Sequence, residues 1–443
     1  MSFPPFRGCA CSLAAIVVIL ATIGSPAAFA QSRAPLPPAP AVPAAPAQAE
    51  TLRLERAIAL ALNAAPEAAS NSARLDALRA AQRQAGVRLN PTLDVMAENF
   101  VGTGPYRFVG GLEVTATYAQ TIERGGRRQA RVTLAGREIE VAEAEALVQR
   151  LDIARRVQTA FVEAMTAEAM VGVVAERLRL ARALRDEINR RVRAARDPLF
   201  AGTRAETRVS EAEVDLELAE HARDAAVTRL AALWGGSPRN LVISIDDFFM
   251  LDRPEPIISD AISPVDLAVY ESRVRRAEAS VHLEQSRRVQ DPTIRGGARY
   301  LNGTGDVALV GGISIPLARH DTNRGNIERA EAERRRAEAD TEVARVTRMR
   351  ELALARERVS ETRHEAEALL RQVFPLAIRT YDQVRAGFLR GGFRHSDLDE
   401  AATRINTVRE RMVRAASEYH RARIEVDRLT GRFIQRLPLE EAR

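Results

Sequence analysis

The chain has 443 residues, 46% hydrophobic and 28% charged, which is enough for a large core and excludes a chain disordered throughout. Only 5% are aromatic; Ala, Glu, Arg and Leu dominate, as in long packed helices rather than compact enzymes. All 65 basic residues are arginine, the net charge is only +6, and arginine alternates with glutamate, as across residues 331–338. Such a surface is a solvated helix face and not a phosphate-binding patch, so no nucleic-acid partner is expected.

Residues 1–30 read as a signal peptide. Arg7 supplies the positive charge, residues 12–23 are a short apolar run, and Ala28-Phe29-Ala30 is a small-x-small cleavage site. The run is too short to span a bilayer. Cys9 and Cys11 both precede it, so the exported chain is expected to have no disulfide, thiolate metal site or cysteine nucleophile. Residues 31–50 are a Pro/Ala-rich spacer of extended, polyproline-like character.

From Thr51, which can cap it, a helical pattern runs to about residue 89 with a break near Pro66; Leu54, Ile58, Ala61 and Leu62 begin its apolar face. Asn90-Pro91 then changes the period. Residues 92–100 and 110–119 read as strands. In the second, Leu112, Val114, Ala116 and Tyr118 alternate with Glu113, Thr115 and Thr117. Gly125-Gly126 ends this insert. Residues 127–195 follow as a rod with apolar positions at an average spacing near 3.5 residues, among them Ala144, Leu151, Phe161, Met165, Leu178 and Ile188. At about 1.5 Å per residue the rod is about 100 Å long. A turn is expected at 196–202 and a returning helix at 203–234. Residues 236–263, with Pro238, Pro254 and Pro256, form a mixed connector.

The pattern then repeats. Pro264 opens a helix to about residue 290, and strands follow at 293–302 and 307–316, the first alternating Ile294, Gly296, Ala298 and Tyr300 with Thr293, Arg295, Gly297 and Arg299. A second rod runs from 324 to 390, interrupted by Pro375, which marks a static bend or a hinge. A return at 396–433 and a tail at 434–443 complete the chain. Asn90-Pro-Thr-Leu93 matches Asp291-Pro-Thr-Ile294, Gly102-Thr-Gly104 matches Gly303-Thr-Gly305, and Gly110-Gly-Leu112 matches Gly311-Gly-Ile313, all at one offset. The first repeat is thus 51–235 and the second 264–433. Each rod is matched by two shorter helices, giving four helical columns, two continuous and two broken. The breaks, at the connector and the two termini, are expected to gather as a belt.

Four strands of nine or ten residues suit a tilted membrane strand, and Phe100, Tyr106, Phe108, Tyr118 and Tyr300 cluster on them. Leu112, Val114, Tyr118, Tyr300 and Ile313 are the candidate membrane-strand residues, with Leu112 and Val114 expected to face lipid. Four strands cannot close a barrel, so a membrane reading requires several chains to pool them. Two soluble hairpins are the other reading of the same residues, and a soluble exported coiled-coil scaffold without a pore is the corresponding function.

No catalytic, cofactor or metal site is expected. His221, His282, His320, His364, His395 and His420 are scattered, and there is no phosphate loop, nucleophile elbow or dinucleotide fingerprint. The candidate functional residues are at the two far turns: Arg193, Arg196, Asp197, Pro198, Leu199 and Phe200 in the first, and Gly387, Arg390, Gly391, Gly392, Phe393, Arg394, His395, Ser396 and Asp397 in the second. Leu and Phe beside glycine suit docking against another helical hairpin, and Arg with Asp suits an ion-paired gate. The alternative is an ordinary turn whose apolar residues staple two helices.

Several segments carry a family resemblance. They are Asn90-Pro-Thr-Leu93 with Glu98-Asn-Phe100, residues 120–128 (Gln-Thr-Ile-Glu-Arg-Gly-Gly-Arg-Arg), Asp291-Pro-Thr293, Ile315-Pro-Leu317 with Asn323-Arg-Gly325, and residues 387–393 (Gly-Phe-Leu-Arg-Gly-Gly-Phe). In this order and spacing, from about 51 to 431, the chain resembles the TolC family of outer-membrane efflux proteins, and within it the outer-membrane subunits of cobalt-zinc-cadmium type efflux systems. The resemblance implies a mostly α fold with a small β part: a duplicated TolC-like fold whose long α-helical barrel lies in the periplasm below a twelve-stranded membrane barrel in a homotrimer. It also implies outer-membrane lipid around the strands, a periplasmic adaptor and an inner-membrane RND-type pump at the turns, and heavy-metal cations as cargo. Drug efflux or type I protein secretion is the alternative within this fold. Two positions depart from the family pattern. Ala195 stands where glycine is common, so the first tip is expected to differ in shape from the second, which has Gly391. Gln120-Thr-Ile122 stands where Gln-Pro-Ile is common.

Overall fold

The structure, a computed structural model, describes residues 50–238, 241–251, 261–317 and 319–433. The signal-peptide and tail segments, the spacer up to residue 49 and residues 252–260 of the connector lie outside the described residues.

The first column is broken where Pro66 demands it. Helix α1 (Leu54–Ala64) buries Ala57, Ile58, Ala61 and Leu62, one stripe at helical spacing. Ala65 is extended (ψ 122°), as a residue before proline must be, and Pro66 opens α2 (Pro66–Ala85). Thr51 does not cap α1. The N-cap is Arg53, and Thr51 lies in β1 (Glu50–Leu52), which pairs in parallel with β4 (Leu241–Ile243), Thr51 opposite Val242.

The rod is α3 (Arg127–Arg193), a single helix of 67 residues and about 100 Å. Gly126 precedes it in left-handed conformation (φ 72°). Its seam is buried at Ala144, Leu151, Ala154, Phe161, Met165, Val174, Leu178 and Ile188. The return, α4 (Leu199–Ala232), starts four residues earlier than the sequence pattern suggests, with Pro198 at its N-cap, and its buried Val209, Ala212, Ala226 and Leu230 complete the seam. The turn is correspondingly short, and Leu199 and Phe200 belong to the first helical turn of α4 rather than to a loop.

The second repeat runs α5 (Pro264–Ser286), α6 (Arg324–Ala368), α7 (Phe374–Leu389) and α8 (His395–Thr430). Ser263 caps α5 by accepting from the Val265 N–H. Between α6 and α7, residues Leu369–Val373 form one π-helical turn. Pro375 follows; it lacks an N–H and its ring crowds the preceding turn, and widening that turn accommodates both. Leu369 packs there with Ala366, Val408, Met412, Ala415 and Tyr419.

The interruptions of the broken columns meet around the middle of α3. Leu52, Ile243, Phe248 and Phe433 share one core with Val157, Phe161 and Met165 of α3, Leu230 of α4 and Val413 of α8. The Ser263 N–H donates to Leu429 O at 2.8 Å, and the His420 ring N–H donates to Phe248 O at 2.9 Å. A buried ion pair holds α8 to α5 within the second repeat and reaches the first repeat through Asp152. Arg428 of α8 holds Asp266 of α5 with two hydrogen bonds (2.8 and 3.1 Å) and Asp152 of α3 with one (2.7 Å).

Candidate functional site

Two regions at opposite ends of the rods hold the candidate residues. The first is one antiparallel sheet in the order β2-β3-β5-β6, made of β2 (Thr92–Glu98), β3 (Glu113–Thr121), β5 (Thr293–Leu301) and β6 (Asp306–Ser314). The two hairpins therefore form one continuous surface rather than two separate units. β3 begins three residues later than its sequence pattern and ends at Thr121; Gly110 and Gly111 lie in a single 3-10 turn (Phe108–Gly111). Leu112 is thus outside the strand, correcting its place among the strand residues; its carbonyl accepts from the Asn302 N–H at 2.9 Å. β6 likewise ends at Ser314, short of Ile315 and Pro316.

The register sorts the sheet into two faces, because directly paired residues share a face. Leu93 pairs with Tyr118, Val95 with Ala116, Val114 with Tyr300, Ala298 with Leu309 and Ile294 with Ile313, so one face is apolar from edge to edge. Leu309, at 90% exposed, is its most open side chain. Val114, Tyr118, Tyr300 and Ile313 all lie on it. The other face carries Asp94, Glu98, Glu113, Thr115, Thr117, Arg295 and Arg299. On it, Arg299 donates to Glu113 (3.1 Å) and Thr115 (3.0 Å) and lies 3.7 Å from Glu98. Both sheet edges, β2 and β6, are without a neighbouring strand among the described residues.

The junction of sheet and helices is a charged knot. Arg127, the first residue of α3, donates to Asp291 (2.6 Å) and to Val289 O (2.8 Å), while the Arg124 N–H donates to the other Asp291 oxygen (2.8 Å). This ties the rod of the first repeat to the strand entry of the second.

The second region is the pair of tips. They have the same shape, against the expectation drawn from Ala195. The Ala195 N–H donates to Val192 O (3.0 Å) and the Arg196 N–H to Arg191 O (2.9 Å); the Gly391 N–H donates to Phe388 O (3.0 Å) and the Gly392 N–H to Gly387 O (2.9 Å). Ala195 (φ 53°) and Gly391 (φ 85°) are both left-handed. The hydrogen bonds that close a helix set the turn, and alanine bears the strain that glycine avoids. Gly387 has a different reason to be glycine: a Cβ there would lie 2.1 Å from the Phe393 ring, which folds back over it.

The tip candidates divide by role. Leu199 (83% exposed) and Phe200 (70% exposed) project from the first turn of α4. Arg193, Arg196, Arg390, Gly391, Gly392 and Arg394 are exposed with them. Asp197 and Asp397 stay within their own hairpins. Asp197 accepts from Arg191 Nε (2.8 Å), and Asp397 accepts from the Arg394 N–H at the start of α8 (2.9 Å). The ties between hairpins run through residues that the sequence reading did not single out. Arg191 lies 4.5 Å above the Phe388 ring and donates to Phe388 O at 3.2 Å. Asp399 pairs with Arg204 (3.7 Å) and Arg208, Arg177 bridges Asp215 (2.7 Å) and Glu410, and Arg409 reaches Glu176 at 3.4 Å. Each sits one to five helical turns behind a tip, in an Arg/Glu-rich pattern that reads locally as a solvated face, so only packing of the two hairpins reveals them.

A cavity of about 320 Å³ lies between the hairpins behind these ties, lined by Leu184, Arg208, Asp215, Tyr381, His395 and Asn406 among others. Burial, and then the nearby Arg208 and Arg204, hold the His395 imidazole below its ordinary pKa, and Asp197 opposes them. Among the described residues no three His, Cys, Asp or Glu side chains converge in a metal-binding group.

Known proteins share this architecture. The outer-membrane protein VceC of Vibrio cholerae has a TM-score of 0.67 at 19% identity, covering 85% of this chain and 96% of that one. The MtrE outer-membrane channel of Neisseria gonorrhoeae in its open state has a TM-score of 0.65 at 17% identity, covering 86% and 89%. At these identities the likeness shows the fold. In sequence, the chain is 28% identical over 391 residues to the cobalt-zinc-cadmium resistance protein CzcC of Cupriavidus metallidurans, covering 86% of this chain and 90% of that protein. The family profile described as outer membrane efflux protein matches residues 57–236 and 263–432, both halves of the duplication, and the chain belongs to that family.

Proposed function

We propose that three copies of this chain form the exit duct of a tripartite efflux system that exports heavy-metal cations. Membership of the outer membrane efflux family places the protein in the outer membrane as a channel with a periplasmic helical part. The observation that carries the trimer is the sheet. Its apolar face is continuous, yet its two edges are open, and an unpaired edge in hydrocarbon costs several kcal/mol per backbone group. Three chains, with four strands each, close a twelve-stranded barrel and remove every edge. The polar face then lines the lumen, and Val114, Tyr118, Tyr300 and Ile313 face lipid.

The rods carry the lumen away from the membrane, and the tips are where an adaptor and an RND-type pump engage. Leu199, Phe200 and Phe393 supply apolar contact there; Arg193, Arg196, Arg390 and Arg394 supply charge; and Gly387, Gly391 and Gly392 let the second turn close tightly. Asp197 and Asp397 hold the turns in shape for that contact. The duct needs width and a gate rather than an affinity site, and the cargo follows the cobalt-zinc-cadmium resistance relative.

Deleting the gene is expected to sensitise the parent cells to cobalt, zinc and cadmium, and the intact gene to restore tolerance. Unchanged metal tolerance together with sensitivity to organic drugs would overturn the cargo assignment.

A further inference from the structure

The cavity of about 320 Å³ behind the tips is walled by both hairpins. Leu180 and Leu184 of α3 and Ala212 of α4 contribute from the first hairpin, and Tyr381 of α7 with His395 and Asn406 of α8 contribute from the second. Its volume lies at the small end of the range of about 300–1,000 Å³ that takes an organic ligand, which suits a molecule of one ring.

Most polar groups of the wall already have partners. Arg177 donates to Asp215 (2.7 Å) and to Glu410, and Arg208 pairs with Asp399. The Thr403 and Thr407 hydroxyls donate to Asp399 O (2.9 Å) and Thr403 O (3.0 Å), one turn back along α8. Glu211 is exposed to water. Two buried atoms of the wall residues are left without a hydrogen-bond partner in the protein, Asn406 Oδ1 and His395 Nε2. Folded proteins pair nearly all of their buried polar atoms, because an unpaired one keeps its full desolvation penalty. Two such atoms on one cavity therefore mark a place where a ligand gains from pairing with them.

The wall also defines what that ligand is. Arg177 and Arg208 balance Glu211 and Asp215, and burial keeps the His395 imidazole neutral. A charged molecule would be desolvated there without a counter-ion, so the ligand is neutral. One hydroxyl satisfies both atoms, since it donates to an amide oxygen and accepts from an imidazole N–H. The remaining wall combines leucine and alanine methyls, the Tyr381 ring and guanidinium groups that are already paired. An aromatic ring packs on all three.

We propose that this cavity binds a small neutral phenol whose hydroxyl donates to Asn406 Oδ1 and accepts from His395 Nε2–H. The walls lie on all four helices of the two hairpins. The bound molecule thus adds to the Arg191–Phe388, Arg208–Asp399 and Arg177–Glu410 ties and favours the arrangement in which the hairpins stay together. The site stands on the packing of the hairpins and needs neither the cargo nor the pump proposed above.

The test is a titration of the purified full chain in detergent with 4-fluorophenol, read by fluorine NMR. Fluorobenzene, which lacks the hydroxyl, and 4-fluorobenzoate, which is anionic, serve as comparison probes. The phenol is expected to bind about tenfold more tightly than either. Asn406→Leu is expected to weaken the phenol about tenfold and to leave fluorobenzene unchanged, and Ala212→Phe, which fills the cavity, to abolish binding of both. Bound phenol is expected to slow hydrogen exchange in peptides spanning 177–184 and 402–407, on both hairpins, and to leave the strands unaffected. Absence of saturable binding, or binding undiminished in Ala212→Phe, overturns the site. Benzoate bound as tightly as the phenol overturns the neutral class, and fluorobenzene bound as tightly overturns the hydroxyl contacts, as does a folded Asn406→Leu variant with unchanged affinity. Exchange slowed on one hairpin only overturns the bridging. The three probes and the exchange map use the unaltered protein, so they decide the site even where a variant fails to fold.

Discussion

Removing Arg428 tests how α8 is fastened to α5 within the second repeat and, through Asp152, to α3 of the first. Its side chain is 8% exposed, and that of Asp266 is 3% exposed. The two share two hydrogen bonds, and a third runs to Asp152, which is 44% exposed and well solvated. In Arg428→Met the Asp266 carboxylate stays buried without its counter-charge, a loss of about 3–5 kcal/mol. Asp266→Leu is expected to cost a similar amount, because the guanidinium is then left in the core with only Asp152. Replacing both together removes both desolvation penalties, and such paired replacements are often neutral, so the double variant is expected to lose less than either single one. The assay is urea unfolding of the purified protein in detergent, followed by far-UV circular dichroism at matched protein concentration, since an oligomer's stability depends on concentration. A double variant as unstable as the sum of the singles would refute the reasoning: the residues would then matter for their packing and not for their charge.

Three other outcomes follow from single positions. Ala195→Gly is expected to relieve about 1 kcal/mol of left-handed strain and to raise hydrogen-exchange protection of the Arg196 amide about fivefold; unchanged protection would mean the turn is not strained. Leu309→Arg places a charge on the apolar face at a cost of about 2–4 kcal/mol and should deplete outer-membrane trimer, while Val310→Arg, on the opposite face, should not; equal yields would refute the lipid-facing assignment. Burial holds His420 below its ordinary pKa, with its hydrogen bond to Phe248 O opposing the shift, so the folded state disfavours the charged ring. As pH falls below about 6.5, the unfolded chain takes up that proton first and stability declines until the lower folded pKa is passed. His420→Gln, which keeps a donor for Phe248 O, should flatten that decline as read by thermal unfolding between pH 7 and pH 5; an unaltered slope would remove His420 as its source.

Much of the fold was legible because helical and strand periods are local. The 127–195 seam reappears as buried Leu151, Phe161, Leu178 and Ile188 in α3, and the alternation around Val114 and Tyr118 reappears as one face of β3. Boundaries were less legible where caps and turns decide them. Pro198 starts α4 early, and Gly110-Gly111 fold into a 3-10 turn instead of opening β3. The shape of the first tip was misjudged because residue type at Ala195 suggested a different turn, whereas the carbonyls closing the helix imposed the same one.

The sequence by itself determined the rods, the strands and their duplication. These depend on periodicity and composition, which neighbouring residues carry in order. Only the tertiary structure decided what lies across a gap in sequence. It joined the two hairpins into one sheet, set Arg127 on Asp291, clamped Asp266 with Arg428, and tied the tips through Arg191, Asp399 and Glu410. An arginine beside glutamates on a helix looks the same whether it meets water or a distant carboxylate, and only the packed neighbour distinguishes the two.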